Sequence, residues 1–234
     1  MTTAHRARTA ASVNAKAGAV GGLTFAVLSV LSGVMVPPAP DGDASAATVR
    51  AYVTDHRSAL RLSVLLSLVA LLALTVFFAA LRRRIAQAEA PDGVMSSAVL
   101  AFGIATVTVA AVGALLNAAL ANGVAPTLDD SAVLVLFRLG RIMFYAGPAI
   151  TTTGVLLAAG IATIQYTVLP RWSAALAVVA GVIGLTSGAV NVSSAAGAPS
   201  GLGFGGFLLT VIWTAVVAIA LARSRALDPK TPSS

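Results

Sequence analysis

Apolar residues run along this chain in long blocks separated by short polar clusters, and block length rather than alternation decides the reading. Six blocks approach or exceed the roughly 20 residues that a helix needs to cross the hydrocarbon core of a bilayer. They lie at about 17–36, 62–81, 96–121, 141–166, 174–191 and 202–222. Pro37-Pro38 closes the first. Ala44-Ser45-Ala46 resembles a small-residue cleavage site, but the preceding block is longer than the roughly 7–15 apolar residues of a signal core, so it is read as a retained span. The apolar stretch from Ser131 to about Thr167 is too long for one straight span, and is divided into a short helix at about 131–139 and the span at 141–166.

Between the first two spans, Val49, Tyr52, Val53, His56 and Leu60 recur at helical spacing in ATVRAYVTDHRSAL, with Asp43 or Ser45 available as an N-cap. This predicts a short external helix lying in the interface, with Tyr52 at headgroup depth; the plainer alternative is the start of the second span. The expected fold is all-α: a polytopic six-helix transmembrane bundle with a short external interfacial helix. Residues 1–16 form a basic, disordered cytoplasmic tail in this reading, 17–223 the membrane domain, and 224–234 a second cytoplasmic tail.

Composition strengthens the membrane assignment. The chain is 58% hydrophobic and 10% charged, against about 25% charged residues in a soluble domain. The net charge of +7 would suggest nucleic acid in a soluble protein. Its distribution argues otherwise. With the N-terminus inside, the cytoplasmic side holds Arg6, Arg8, Lys16, Arg82, Arg83, Arg84, Arg171, Arg223, Arg225 and Lys230 against Glu89, Asp92 and Asp228. The outside holds Arg50, Arg57, Arg61, Arg138 and Arg141 against Asp41, Asp43, Asp55, Asp129 and Asp130, which balance. The positive-inside rule therefore predicts a multi-pass plasma-membrane protein with both termini cytoplasmic, its inner face attracted to anionic lipids, and no nucleic-acid partner.

Small residues suggest how the spans pack, since membrane helices associate through close backbone approach. Ala177, Gly181, Gly184, Gly188 and Asn191 form one stripe on the fifth span. Gly147, Thr151, Gly154, Ala158, Ala162 and Gln165 form another on the fourth. These stripes are expected to pack on each other or on a neighbour, and a second copy or another membrane protein remains an open alternative. Pro148 cannot donate a backbone hydrogen bond to Phe144, so a kink or hinge is expected at Gly147-Pro148, with Thr151 helping to satisfy the freed groups.

Candidate chemistry concentrates at the outer end of the fourth span. Arg138, Arg141 and Tyr145 share one helical face, and paired guanidinium groups there suit a lipid phosphate or another anion. The bland reading is that both arginines reach to headgroups or pair with nearby aspartates. Tyr52, His56 and Arg57 are placed over them as a lid; His56 also reads as an ordinary surface histidine. Gly184-Leu185-Thr186-Ser187-Gly188 resembles the serine motif of an intramembrane protease, but no span holds a histidine or lysine to serve as base. Gly201-Leu202-Gly203-Phe204-Gly205-Gly206 matches GxGxxG without the strand that a dinucleotide loop requires. Asn191-Val192-Ser193 is a formal glycosylation sequon too close to a span end to carry weight. The chain has no cysteine. No metal site, cofactor or enzymatic activity is expected. No Asp, Glu, Lys or His falls within the spans as drawn, which argues against proton-coupled transport.

The stretches AYVTDHRSAL, RIMFYAGPA and LPRW together resemble a broad group of small bacterial integral membrane proteins, rich in Ala, Leu and Gly and of unknown function. The resemblance covers about residues 20–222 and implies six spans in a plasma membrane, with no activity attached. Two functions are therefore carried forward: lipid or partner binding at the outer face, and a permease for a small neutral or apolar compound.

Overall fold

The structure, a computed structural model, describes residues 3–124, 127–193 and 200–223. Among these residues it is all-helical, and six helices are long and apolar enough to cross a membrane. That is compatible with a multi-pass integral membrane protein. The helices are α1 (Thr3–Val34), α2 (Ala46–Asp55), α3 (Arg57–Ala86), α4 (Met95–Ala119), α5 (Asp130–Arg141), α6 (Gly147–Tyr166), α7 (Arg171–Ser193) and α8 (Ser200–Arg223). π turns extend α4 over Leu120–Val124 and join α5 to α6 over Ile142–Ala146.

The sequence reading expects disorder over residues 1–16, but α1 is helical from Thr3. Its first turns are rich in Ala and Arg, which are strong helix formers, and they continue a helix already nucleated in the apolar span. The tail at 224–234 and most of the stretch between the spans at 174–191 and 202–222 lie outside the described residues.

Each long helix packs on its neighbours in chain order, and α8 returns to pack on α1. The spans thus form a closed ring in the order α1, α3, α4, α6, α7, α8. Successive spans run antiparallel, since positions further along one meet positions further back on the next, as Gly147 and Gly154 of α6 meet Val109 and Phe102 of α4. One end of the ring carries α2 and α5 and is here the cap end; the other carries Arg82, Arg83, Arg84, Arg171 and Arg223 and is the basic end.

Large side chains fill the ring towards the basic end. Phe77 and Trp213 are buried and meet edge to face with centroids 6.2 Å apart, and Leu81, Ile85, Val217 and Leu221 continue this core. The Trp213 indole N–H donates to Ser173 O at 3.2 Å and ties α8 to the start of α7. At the turn between α6 and α7, Thr167 adopts a left-handed φ of 53° and its N–H caps Thr163 O, after which Val168 and Leu169 tuck back under the core.

The small-residue stripes meet neighbours rather than each other. The α7 stripe lies against α6: a Cβ on Gly188 would sit 3.2 Å from Ala146 O, and one on Gly184 would sit 3.4 Å from Ala149 O. The α6 stripe turns to α4 instead, where Gly147 faces Val109 and Gly154 faces the Phe102 ring. Gln165, read as part of that stripe, is exposed.

Candidate functional site at the cap end

The cap has a small core of its own. Ser45 accepts from Thr48 N–H at 3.2 Å and so is the N-cap of α2. Val49 and Val53, four apart, are buried against Val133 and Phe137 of α5, also four apart, and against Leu120. The helix is therefore where the periodicity places it, but protein rather than headgroup covers its apolar face. Asp129 caps α5, accepting from Ala132 N–H at 2.7 Å and from Ser131 Oγ at 2.8 Å. These hydrogen bonds, Ala132 N–H first, hold the Asp129 carboxyl below its ordinary value. Arg50 joins the two helices by donating to Leu128 O at 2.7 Å and to Asp130 Oδ1 at 3.0 Å.

Between α1 and α2 the chain runs through Pro37, Pro38 and Pro40 without regular structure. Its carbonyls have no ladder to pair with and must find other donors. The candidate site residues supply them. The Tyr52 hydroxyl donates to Pro37 O at 2.9 Å, Arg141 donates to Pro40 O, and Arg138 Nε donates to Gly42 O at 2.9 Å. Arg141 also lies over the Phe137 ring, 5.8 Å from its centroid. Tyr52 stacks edge to face on His56 at 5.1 Å. Burial first, and the nearby Tyr145 second, push the Tyr52 phenol up from 10.0 to about 12.

Of the six candidate residues, Arg138, Arg141 and Tyr52 thus converge on one six-residue loop, and His56 and Tyr145 flank Tyr52. Arg57 stands apart from the loop contacts: its Nε is buried without a hydrogen-bond partner among the described residues. Arg138 is exposed, and its two terminal nitrogens have no protein partner among the described residues. Sequence reasoning missed this division of labour. The clue lay in the prolines, whose run removes N–H groups and leaves carbonyls in need of partners.

The expected kink takes a specific form. Gly147 N–H reaches back five residues to Ile142 O, in a π turn that ends immediately before Pro148. The wider turn carries the helix past a residue that has no N–H for Phe144 O. Thr151 bonds Gly147 O at 3.0 Å rather than Phe144 O, so the hydroxyl is not what accommodates the proline. Thr152 Oγ1 donates to Thr106 Oγ1 at 3.4 Å and Thr106 Oγ1 to Thr151 Oγ1 at 2.9 Å, a chain of hydroxyls joining α6 to α4. Gly113 makes the closest approach to another segment's backbone: a Cβ there would lie 2.5 Å from Phe144 N, against the π turn itself.

Comparison with protein-family models, with curated proteins and with solved structures finds no match to this chain. The resemblance to small bacterial membrane proteins gains nothing from it, and the functional reading rests on the geometry alone.

Proposed function

We propose that the chain is a plasma-membrane protein with its cap outside and both termini in the cytoplasm, and that it binds the phosphate of an anionic lipid at the cap. What supports this reading is the free edge of Arg138. Its Nε is spent on Gly42 O, while its two terminal nitrogens have no partner among the described residues, on an exposed side chain one turn from Arg141. A guanidinium presents planar paired donors that match a phosphate, and it keeps its charge at any physiological pH. Tyr52 and Tyr145 flank the pair with amphipathic rings suited to headgroup depth. The surplus of arginines at the basic end supports the orientation through the positive-inside rule.

Native mass spectrometry of gently solubilised protein tests this. The wild type carries an added mass equal to a phospholipid, and Arg138→Gln loses it while Arg138→Lys retains it weakly. Bare protein in every sample removes the proposal, and an added mass equal to a polypeptide would replace lipid with a protein partner.

A second reading, a permease for a small neutral compound, is favoured by a different observation: the spans close into a ring, and hydroxyls gather in its cap-end half.

A further inference from the structure

Among the described residues, the hydroxyls buried towards the basic end have partners. Thr163 donates to Ala159 O at 2.8 Å, Ser173 to Pro170 O at 2.7 Å and Thr214 to Thr210 O at 2.9 Å, while Ser96 bonds the Glu89 carboxylate. Towards the cap end Ser32, Thr106, Thr152 and Thr153 are bonded too, but three serines are not. Ser29, Ser67 and Ser187 are only 7%, 7% and 4% exposed, yet their hydroxyls have no hydrogen-bond partner among the described residues. None of the three oxygens is sealed by protein atoms. A buried hydroxyl without a partner costs free energy, so each marks a place where something else is hydrogen-bonded.

Their positions are related. Ser63 donates to Ser32 O at 2.9 Å, which sets the register of α1 against α3. The two helices run in opposite directions, so Ser29 and Ser67 each lie about one turn, roughly 5 Å, deeper on their own helices and share one depth. Ser29 follows Gly22 and Ala26 along the face that meets Phe77 and Ala218, which is the inside of the ring. Ser67 lies on the face of Ala70, Leu74 and Phe77, three to ten residues nearer the cap. Ser187 faces Gly203 on α8, which leaves its oxygen uncovered by any side chain from that position. Phe77 and Trp213 lie across the ring on the basic side of all three.

We propose that the cap-end half of the ring is a water-accessible compartment that holds a small neutral polyol, with Ser29, Ser67 and Ser187 as its hydrogen-bonding wall and Phe77 with Trp213 as its floor. Hydroxyls both donate and accept, so they match a solute that also does both. The surrounding helices carry no ionisable side chain at this depth, which selects for neutral solutes. This deepens the permease reading by naming its site and solute class, but it is independent of the cap arginines and holds whether or not the solute crosses.

The absence of native cysteine makes a direct test available. Ser29→Cys, Ser67→Cys and Ser187→Cys are made singly, with Leu72→Cys (69% exposed on the ring's outer surface) and Val217→Cys (0% exposed beside the floor) as controls. Each purified protein, checked as monodisperse, is labelled with a small charged methanethiosulfonate. The serine positions react about tenfold faster than either control, because a charged reagent needs water to reach a thiol. Added glycerol then slows labelling there and leaves an exposed cap position, Ser58→Cys, unchanged. Labelling of the three positions at the control rate overturns the compartment. Labelling that glycerol slows no more than at Ser58→Cys overturns the polyol. Should Ser187→Cys fail to fold, the pair at one depth on α1 and α3 carries the same test.

Discussion

In the ring, helices meet backbone to side chain through glycine and alanine, and the centre is filled by Phe77, Trp213 and their neighbours. In the cap, two short helices share a handful of buried apolar residues, and an irregular loop hangs from three side-chain donors. The ring relies on shape: it has close contacts that cannot be loosened one at a time. The cap relies on single polar bonds, each of which can be lost alone. Disturbing the first should unfold the molecule; disturbing the second should free one segment.

The largest effect is expected at the floor of the ring. Trp213→Ala removes an indole that is 1% exposed, its contact with Phe77 and its bond to Ser173 O. A loss of about 4 kcal/mol follows from aromatic-to-alanine changes in packed cores. Thermal unfolding followed by helical circular dichroism reads it, and a midpoint unchanged from wild type would mean that the centre is not close-packed.

Next is Gly113→Leu. The new side chain must push the π turn off α4, since even a Cβ would lie 2.5 Å from Phe144 N. Overpacking of this kind costs about 1–3 kcal/mol. Gly33→Leu and Gly205→Leu are the internal controls, because a Cβ at either position meets nothing within 4 Å. Equal midpoints for all three variants would break the claim that close approach holds the ring.

That contrast also shows what was legible beforehand. The spans were, because block length alone separates them. The stripes on α6 and α7 were, but not their partners: every face of these helices is apolar, so no polar face marks the outside. Gly113 was missed although Gly103, Thr106, Ala110 and Gly113 step by three and four along α4, the same signal read on the other two spans. Pro148 announced a disturbance, whereas a π turn depends on hydrogen bonds that composition does not encode. Arg138 and Arg141 could be placed on one face, but their loop acceptors lie about a hundred residues away and come together only through tertiary folding.

The cap should respond locally. Arg138→Gln with Arg141→Gln removes two of the three donors to the loop, each a charged hydrogen bond of about 1.5–3 kcal/mol when intact and less where exposed. Amide hydrogen exchange should speed up across residues 37–55 and stay at wild-type rates in α3, α4 and α7. Faster exchange through the spans would show that cap and ring unfold as one unit.

The smallest effects separate the two regions by pH. At the basic end, Glu89 receives Met95 N–H at 2.6 Å and Ser96 N–H at 3.0 Å, and so caps α4. Burial pushes its carboxyl up, but the bonds from Ser96 and Met95 together outweigh this and leave it below its ordinary value of 4.5. The stability it contributes is therefore complete above the unfolded value and lost as pH falls through the lower folded one. A cap of this kind is worth about 1 kcal/mol or less, so Glu89→Gln should lower the thermal midpoint slightly at neutral pH and not at all in acid. Tyr52 behaves in the opposite sense. Its phenol is raised from 10.0 to about 12, so its contribution is complete below 10 and lost as pH rises towards 12. Exchange of the loop amides should speed up over that alkaline window while exchange in the spans does not, and Tyr52→Phe should abolish the pH dependence by removing both the ionisation and the bond to Pro37 O. A loop that stays protected as the phenolate forms would mean that the two arginines alone hold the cap.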